Sequence, residues 1–156
     1  TSACQGILTG ATNIVTSSTS GTIKADDLID LQESIPDLYQ SGAVFIMNKA
    51  TRTAIRKLKD GDGNYLLNKD LTSAWGYSLL GKPVYTSDTM PAATANNKAV
   101  IYGDMSGFTV KLTKNVELQI LQELYAAQHA LGVVGWVEID SKVTNQQKIA
   151  VLKIKA

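Results

Sequence analysis

The segment from Ala43 to Lys59, "AVFIMNKATRTAIRKLK", contains the strand and the helix that decide the fold. It begins with an apolar run of strand length without polar alternation, a pattern typical of a strand buried on both faces of a sheet. Asn48 follows as a favourable N-cap residue. Beyond it, Ile55 and Leu58 share one face of a helical projection and the basic residues lie on another. This arrangement predicts a short amphipathic helix directly after a buried strand.

A second helix is predicted upstream, in "IKADDLIDLQESIPDLYQSG" (23–42), where apolar residues recur at helical spacing. The series consists of Leu28, Leu31, Ile35 and Leu38. Pro36 breaks or kinks this helix, because its ring fixes φ and it has no N–H to donate. Before the helix, "NIVTSSTSG" (13–21) predicts a short strand that runs into a loop.

Strand patterns dominate the second half of the chain. Phe108, Val110 and Leu112 alternate with polar residues, and the alternation returns at Val116, Leu118 and Ile120. We expect a hairpin about a Lys114-Asn115 turn, with one face on a core. Further strands are predicted at "AVIYG" (99–103), "WVEI" (136–139) and "KIAVLKIKA" (148–156). Helices on a mixed sheet without repeated βαβ units indicate an α+β fold, a mixed β-sheet flanked by helices.

Length and composition exclude several classes of protein. A chain of 156 residues is long enough for one domain with a sizeable core, and a net charge of +1 gives no overall attraction to nucleic acid or an anionic membrane. The single Cys4 excludes an internal disulfide. Together with the single His129, it also excludes a zinc site of the usual four-ligand Cys and His pattern. No apolar run approaches the length of a membrane span.

The stretch "KDGDGNYLLNKDL" (59–71) resembles half of a calcium-binding loop. Asp60, Asp62 and Asn64 occupy the first three ligand positions, but the glycine position holds Tyr65 and the closing glutamate position holds Leu71. The sequence therefore predicts a helix stop and a tight turn here, with no metal.

Catalytic motifs are incomplete. "GDMSG" (103–107) places Ser106 one position late for a nucleophile elbow. A small hydrolase that uses Ser106 or Cys4 with His129 is one alternative hypothesis, which requires His129 to lie close to either nucleophile. Our principal expectation is that the chain is not an enzyme, with no catalytic residue, no cofactor and no metal.

Two helices carry opposite charge. The helix at 49–59 has five Lys or Arg and no acid, whereas the helix at 24–34 has four carboxylates against Lys24. We interpret Asp26, Asp27, Asp30 and Glu33 as a solvated helix face rather than paired catalytic acids. Unlike patches can also meet across a subunit boundary, where head-to-tail contacts generate rings. Candidate subunit-contact residues are Asp26, Asp30, Glu33, Arg52, Arg56, Lys59, Asp60, Asp62 and Asn64.

Binding of nucleic acid by Arg52, Arg56 and Lys59 is a further alternative, of a different class. It is disfavoured because no exposed aromatic residues are interleaved with the basic ones and no nucleic-acid-binding module is recognisable.

The order of several segments is informative as a set. They are "QGILTG" (5–10), "FIMNKATRTAIRKLKDGDGNYLL" (45–67), "LLGKPVYTSDTMPA" (79–92), "AVIYGDMSGFTVKL" (99–112), "VGWVEID" (134–140) and "IAVLKIKA" (149–156). In this order and spacing, the chain from Gln5 onward resembles the tailed-bacteriophage major capsid family, which has the Hong Kong 97-type shell fold. An encapsulin-like compartment shell is a related alternative.

The resemblance implies a structural subunit of a phage or prophage icosahedral capsid, which forms pentamers and hexamers in the full-length protein. Residues 1–123 correspond to the axial-domain-like region, and residues 124–156 to C-terminal strands shared between the axial and peripheral domains. The N-terminal arm, the extended loop and the spine helix of such proteins have no counterpart here, so we expect this fragment alone to be a monomer or weak oligomer.

The resemblance also implies where the protein acts and with what. The expected partners are other copies of the capsid protein, with no membrane and no specific nucleic acid, and packaged DNA only indirectly. The expected location is the virion capsid, assembled in the bacterial host cytoplasm.

Overall fold

The computed structural model describes residues 4–59, 65, 77–121, 129 and 131–156, which form two β-sheets and three α-helices within those ranges. The helices are α1 (Ile7–Gly10), α2 (Ala25–Glu33) and α3 (Lys49–Arg56). The strands are β1 (Asn13–Ser20), β2 (Val44–Met47), β3 (Ser78–Leu79), β4 (Lys82–Thr86), β5 (Lys98–Gly103), β6 (Phe108–Leu121), β7 (Gly132–Val143) and β8 (Ile149–Lys155). Short 3₁₀ turns occupy 37–39, 105–107 and 146–148.

The larger sheet has six strands in the order β1-β8-β5-β2-β4-β3. The β1–β8 and β2–β4 pairs are parallel, and the other pairs are antiparallel. The parallel β1–β8 pair joins the two ends of the chain, since Asn13 lies opposite Ala150. This mixed sheet with helices packed on it confirms the α+β fold.

Strand β2 lies in the middle of the larger sheet, as its apolar sequence predicts. Phe45 and Met47 are completely buried on one face, where the Phe45 ring packs against Tyr102 of β5 with ring centroids 4.5 Å apart and a tilt of 34° between the ring planes. Ile46 is half-buried on the other face and packs against a second apolar cluster. Asn48 caps α3 as expected, because its side chain accepts a hydrogen bond from the Ala50 N–H.

Helices α2 and α3 pack on the same face of this sheet. Leu28 and Leu31 of α2 and Ile55 of α3 are buried in one cluster with Phe45. The helical series predicted to extend to Leu38 is interrupted, because α2 ends at Glu33, before Pro36. Leu38 then lies on a 3₁₀ turn and is 80% exposed, so it does not continue the buried face of α2.

Asp27 departs from the solvated acidic face predicted for α2. Its carboxylate is buried and accepts hydrogen bonds from the Lys24 N–H at 2.8 Å and the Ser18 N–H at 2.7 Å. It therefore caps the first turn of α2 and fixes that helix to strand β1. Asp26, Asp30 and Glu33 are exposed.

The expected hairpin about Lys114-Asn115 is wrong. Residues 108–121 form one strand, β6, which pairs with β7 in a separate two-stranded sheet, here called the ribbon. The register shifts between Leu112 and Lys114 and again between Lys114 and Glu117. Each shift adds one residue to β6 and turns its side chains to the opposite face, so two shifts return Leu118 to the face that carries Leu112.

The ribbon is anchored to the second face of the six-stranded sheet. Val143 of β7 is buried there, and Phe108 of β6 packs against the same cluster. The buried members of this cluster are Ala11, Met90, Ile101, Val143, Ile149 and Val151.

Candidate subunit-contact surfaces

An acidic face lies on α2. Asp26, Asp30 and Glu33 are spaced by four and three residues, so they share one side of the helix. All three are exposed, and none has an ion-pair partner within the described ranges. The acidic face is therefore a patch of uncompensated negative charge.

A basic face lies around α3. The Arg52 and Arg56 guanidinium groups lie 4.4 Å and 5.2 Å from the centre of the Tyr77 ring, and the Lys59 ammonium lies 5.1 Å from that of Tyr65. Cation–π contacts of this kind orient the cations without neutralising them. Asp60, Asp62 and Asn64, also candidate contact residues, lie outside the described part of the chain.

The acidic and basic faces lie toward opposite edges of the six-stranded sheet. Helix α2 contacts β1, the strand at one edge, and Tyr77 directly precedes β3, the strand at the other. Among the described residues, no ion pair joins the two faces within one chain.

The ribbon presents an apolar face to solvent. Seven aliphatic side chains on this face are each at least 50% exposed: Val110, Leu112, Leu118, Ile120, Val133, Val137 and Ile139. Near Phe108 this face continues into an open apolar groove of about 450 Å³, bordered also by Ile7, Ile46 and Met90. Soluble monomers rarely expose a continuous apolar surface made of this many aliphatic side chains. The expectation that this alternating pattern faces a core within the chain therefore holds at Phe108 and is wrong for Val110, Leu112, Leu118 and Ile120.

Ser106 belongs to a polar cluster rather than to a nucleophile elbow. Its hydroxyl donates to Asp104 Oδ2 and accepts from Lys148 Nζ, both at 2.7 Å. Lys148 Nζ also lies 3.3 Å from Asp104 Oδ2 in an ion pair. Lys148 donates to both oxygens, and the cluster joins the two 3₁₀ turns at the base of the ribbon.

Acid is expected to weaken this cluster. The hydrogen bonds from Ser106, followed by those from Lys148, lower the pKa of Asp104 below its ordinary value of 3.8. A depressed folded-state pKa contributes stability that is present above the unfolded-state pKa and is lost as pH falls through the folded one. Thermal unfolding between about pH 5 and pH 2 should therefore show a shallower fall in Tm for Asp104→Asn than for the wild type. Asp26→Asn, an exposed carboxylate, controls for net charge, and identical slopes for Asp104→Asn and wild type would contradict the assignment.

The hydrolase hypothesis fails because His129 lies far from both candidate nucleophiles. His129 lies between the end of β6 and the start of β7, at the far tip of the ribbon, whereas Ser106 precedes its base. A strand of fourteen residues separates them by roughly 40 Å. Cys4 lies near the base, where its sulfur is 2.8 Å from Ser141 Oγ. No Ser–His or Cys–His pair therefore forms with His129.

Within the ranges that the structure describes, no group of three or more His, Cys, Asp or Glu residues is placed to hold a metal ion. No helix in that part of the chain is long and apolar enough to cross a membrane.

Sequence reasoning missed Tyr77, the aromatic ring that orders the basic face. The only signal was an aromatic residue just before a short strand, which does not reveal that two arginines of a distant helix approach it. The exposure of the apolar ribbon face was missed because alternation indicates an apolar face but not what covers it.

The chain is similar to capsid proteins over nearly all its length. A model of the "Phage capsid family" matches residues 1–154. The capsid of an empty GTA particle is 25% identical at a TM-score of 0.80, with 98% of this chain and 57% of that chain covered. No curated protein matches.

Two further structures share the fold at lower identity. A chain of Gordonia phage Cozz is 18% identical at a TM-score of 0.65, with 100% of this chain and 53% of that chain covered. The holo-SrpI encapsulin complex from Synechococcus elongatus PCC 7942 is 17% identical at a TM-score of 0.66, with 95% and 55% covered. The chain thus spans little more than half the length of these structures. By the match over residues 1–154 and the shared fold, it belongs to the phage capsid family.

Proposed function

We propose that this chain is part of a structural subunit of a tailed-phage or prophage icosahedral capsid, which forms pentamers and hexamers in the full-length protein. Membership of the phage capsid family supports a shell role. The structural observation that carries the proposal is the pair of unlike charged faces toward opposite edges of one sheet, which no ion pair joins among the described residues. A shell subunit acts through shape and repeated weak contacts, and it requires no cofactor or active site.

The charged faces fit a ring of identical subunits. When the acidic face of one copy meets the basic face of the next, the contact is heterologous, and repetition of one rotation closes a ring if the angle permits. Complementary potentials also set the orientation of encounter and disfavour wrong pairings. Asp26, Asp30 and Glu33 would thus face Arg52, Arg56 and Lys59 of the neighbouring copy, with Asp60, Asp62 and Asn64 as proposed further contacts.

The proposed organisation follows the family. Residues 1–123 would form the axial-domain-like region, and 124–156 the C-terminal strands shared with the peripheral domain. In a complete subunit, the exposed apolar face of the ribbon would be covered, while the present chain alone would be a monomer or weak oligomer. The proposed location is the virion capsid, with assembly in the host cytoplasm and only indirect contact with packaged DNA.

Charge reversal tests the proposed contact. In the complete subunit, Arg52→Glu with Arg56→Glu should abolish capsomers in sedimentation and electron microscopy, because like charges then face each other. Asp26→Lys with Asp30→Lys and Glu33→Lys should do the same, and the two sets combined should restore assembly in part. Arg52→Lys with Arg56→Lys keeps the charge and serves as the matched control. Normal capsomers from either reversed set alone would refute the contact.

An encapsulin-like compartment remains the second candidate, since an encapsulin complex shares the fold. The contents of purified shells distinguish the two, because a phage capsid packages DNA and a compartment encloses protein cargo. The third possibility, a nucleic-acid-binding domain that uses Arg52, Arg56 and Lys59, requires affinity that falls steeply with salt. A flat titration at low salt would eliminate it.

A further inference from the structure

The turn between β3 and β4 holds a leucine in an unfavourable backbone conformation. Leu79 pairs with Lys82, so only Leu80 and Gly81 form the loop. Their φ angles are +49° and +75°. Two positive φ values characterise the type I′ hairpin turn, which strongly favours Asn-Gly, Asp-Gly or Gly-Gly.

Leucine is the exception among the positive-φ residues that the structure describes. The others are Gly21, Gly81, Gly103, Asn96 and His129. Glycine has no Cβ, and Asn and His are the side chains most often tolerated in this region. Leu80 has neither property, so its conformation raises the energy of the folded chain, and such strain is concentrated at functional sites.

The Leu80 side chain is only partly covered by the rest of the chain, since 41% of its surface is exposed. The turn lies at the β3 edge of the sheet, three residues after Tyr77, the ring against which Arg52 and Arg56 lie. Leu80 is thus an exposed apolar residue at the same edge of the sheet as the ring that holds the two arginines. An apolar centre with a charged rim is the usual composition of a binding hot spot.

The acidic face has a matching feature. Ile29 of α2 is 45% exposed and lies between Asp26 and Glu33 on the helix, adjacent to Asp30. Both charged faces therefore carry one aliphatic side chain available for burial.

We propose that Leu80 of one subunit packs against Ile29 of the neighbouring copy, so that an apolar contact forms the centre of the acidic–basic interface. This inference rests on the proposed function. The strain at Leu80 is then a cost borne by the isolated chain and offset by burial in the ring, because Asn at this position would suit the turn but not the contact.

Leu80→Asn separates the strain within the isolated chain from the contact between subunits. In the 156-residue chain, relief of strain should raise Tm by about 2 to 4 °C. In the complete subunit, the concentration needed for assembly should rise about tenfold. Ile29→Gln should raise the concentration needed for assembly by a similar factor, without a gain in Tm. The double variant should need no higher concentration than either single variant, since both substitutions remove the same contact.

Several outcomes would overturn the inference. A lower Tm for Leu80→Asn would mean that Leu80 is retained for packing within its own chain, and unchanged assembly would mean that it makes no contact. The matched control is Leu38→Asn, which removes a more exposed leucine; an equal loss of assembly in this control would assign the effect to general surface apolarity.

Failure of the proposed function would look different. If the wild-type subunit forms no capsomers, the proposed function and this inference fail together. If charge reversal blocks assembly while the Leu80 and Ile29 variants assemble normally, the inference alone fails.

Discussion

Gly103→Ala is expected to destabilise the fold by about 4 kcal/mol or more, enough to leave little folded protein. Gly103 has φ +147°, and a Cβ built there lies 2.0 Å from the Lys148 carbonyl oxygen and 2.9 Å from the Ile149 Cα. Both obstacles are backbone atoms of the neighbouring segment, so no side-chain rotation relieves the clash. The residue pairs with both β2 and β8, and a shift here therefore disturbs the centre of the sheet.

Urea unfolding of Gly103→Ala beside Gly81→Ala gives the matched comparison. Gly81 also has positive φ, but no atom lies within 4 Å of a Cβ added there. Its replacement should cost only about 1 to 2 kcal/mol, from the left-handed backbone alone. Equal losses for the two variants would show that the close approach of Lys148 is not a constraint.

Phe45→Ala is expected to lower the free energy of unfolding by about 3 to 5 kcal/mol. Phe45 is completely buried in the central strand, and its ring packs on that of Tyr102. The cavity would also loosen Tyr102, whose hydroxyl donates to Gln40 Oε1 at 2.6 Å. The Gln40 amide in turn donates to the Gln32 carbonyl near the end of α2 and to the Ile35 carbonyl beyond it, so the effect extends to that helix.

Phe45→Leu is the control for this second variant, because it keeps an aliphatic side chain in the site. Its loss in denaturant unfolding should be well below that of Phe45→Ala. Retention of nearly full stability by the alanine variant would show that the stack with Tyr102 is not central to the core.

The parts of the fold that depend on local pattern were predictable from the sequence. "AVFIM" identified β2, and Asn48 identified the start of α3, because a cap and the apolar period are properties of neighbouring residues. The end of α2 before Pro36 follows from the same local chemistry.

The parts of the fold that depend on residues distant in sequence were not predictable. Lys114-Asn115 lies within β6 as an irregular part of the strand, and only the partner strand β7 decides between a turn and bulges. Asp27 is buried because the Ser18 N–H of β1 reaches its carboxylate, which helical spacing cannot reveal. The exposure of Asp26, Asp30 and Glu33 was predictable from charge, but the separation of the charged faces required the strand order.

The central position of β8 has a consequence for synthesis. This strand follows every other described strand along the chain, yet it lies between β1 and β5. While the subunit is still on the ribosome, β1 and β5 are without their shared neighbour, and its later insertion closes a loop that spans nearly the whole sequence. A nascent chain that lacks β8 therefore cannot join β1 to the rest of the six-stranded sheet. Completion of the six-stranded sheet therefore waits for the translation of β8, although β8 supplies both of the inner pairings that join β1 to β5.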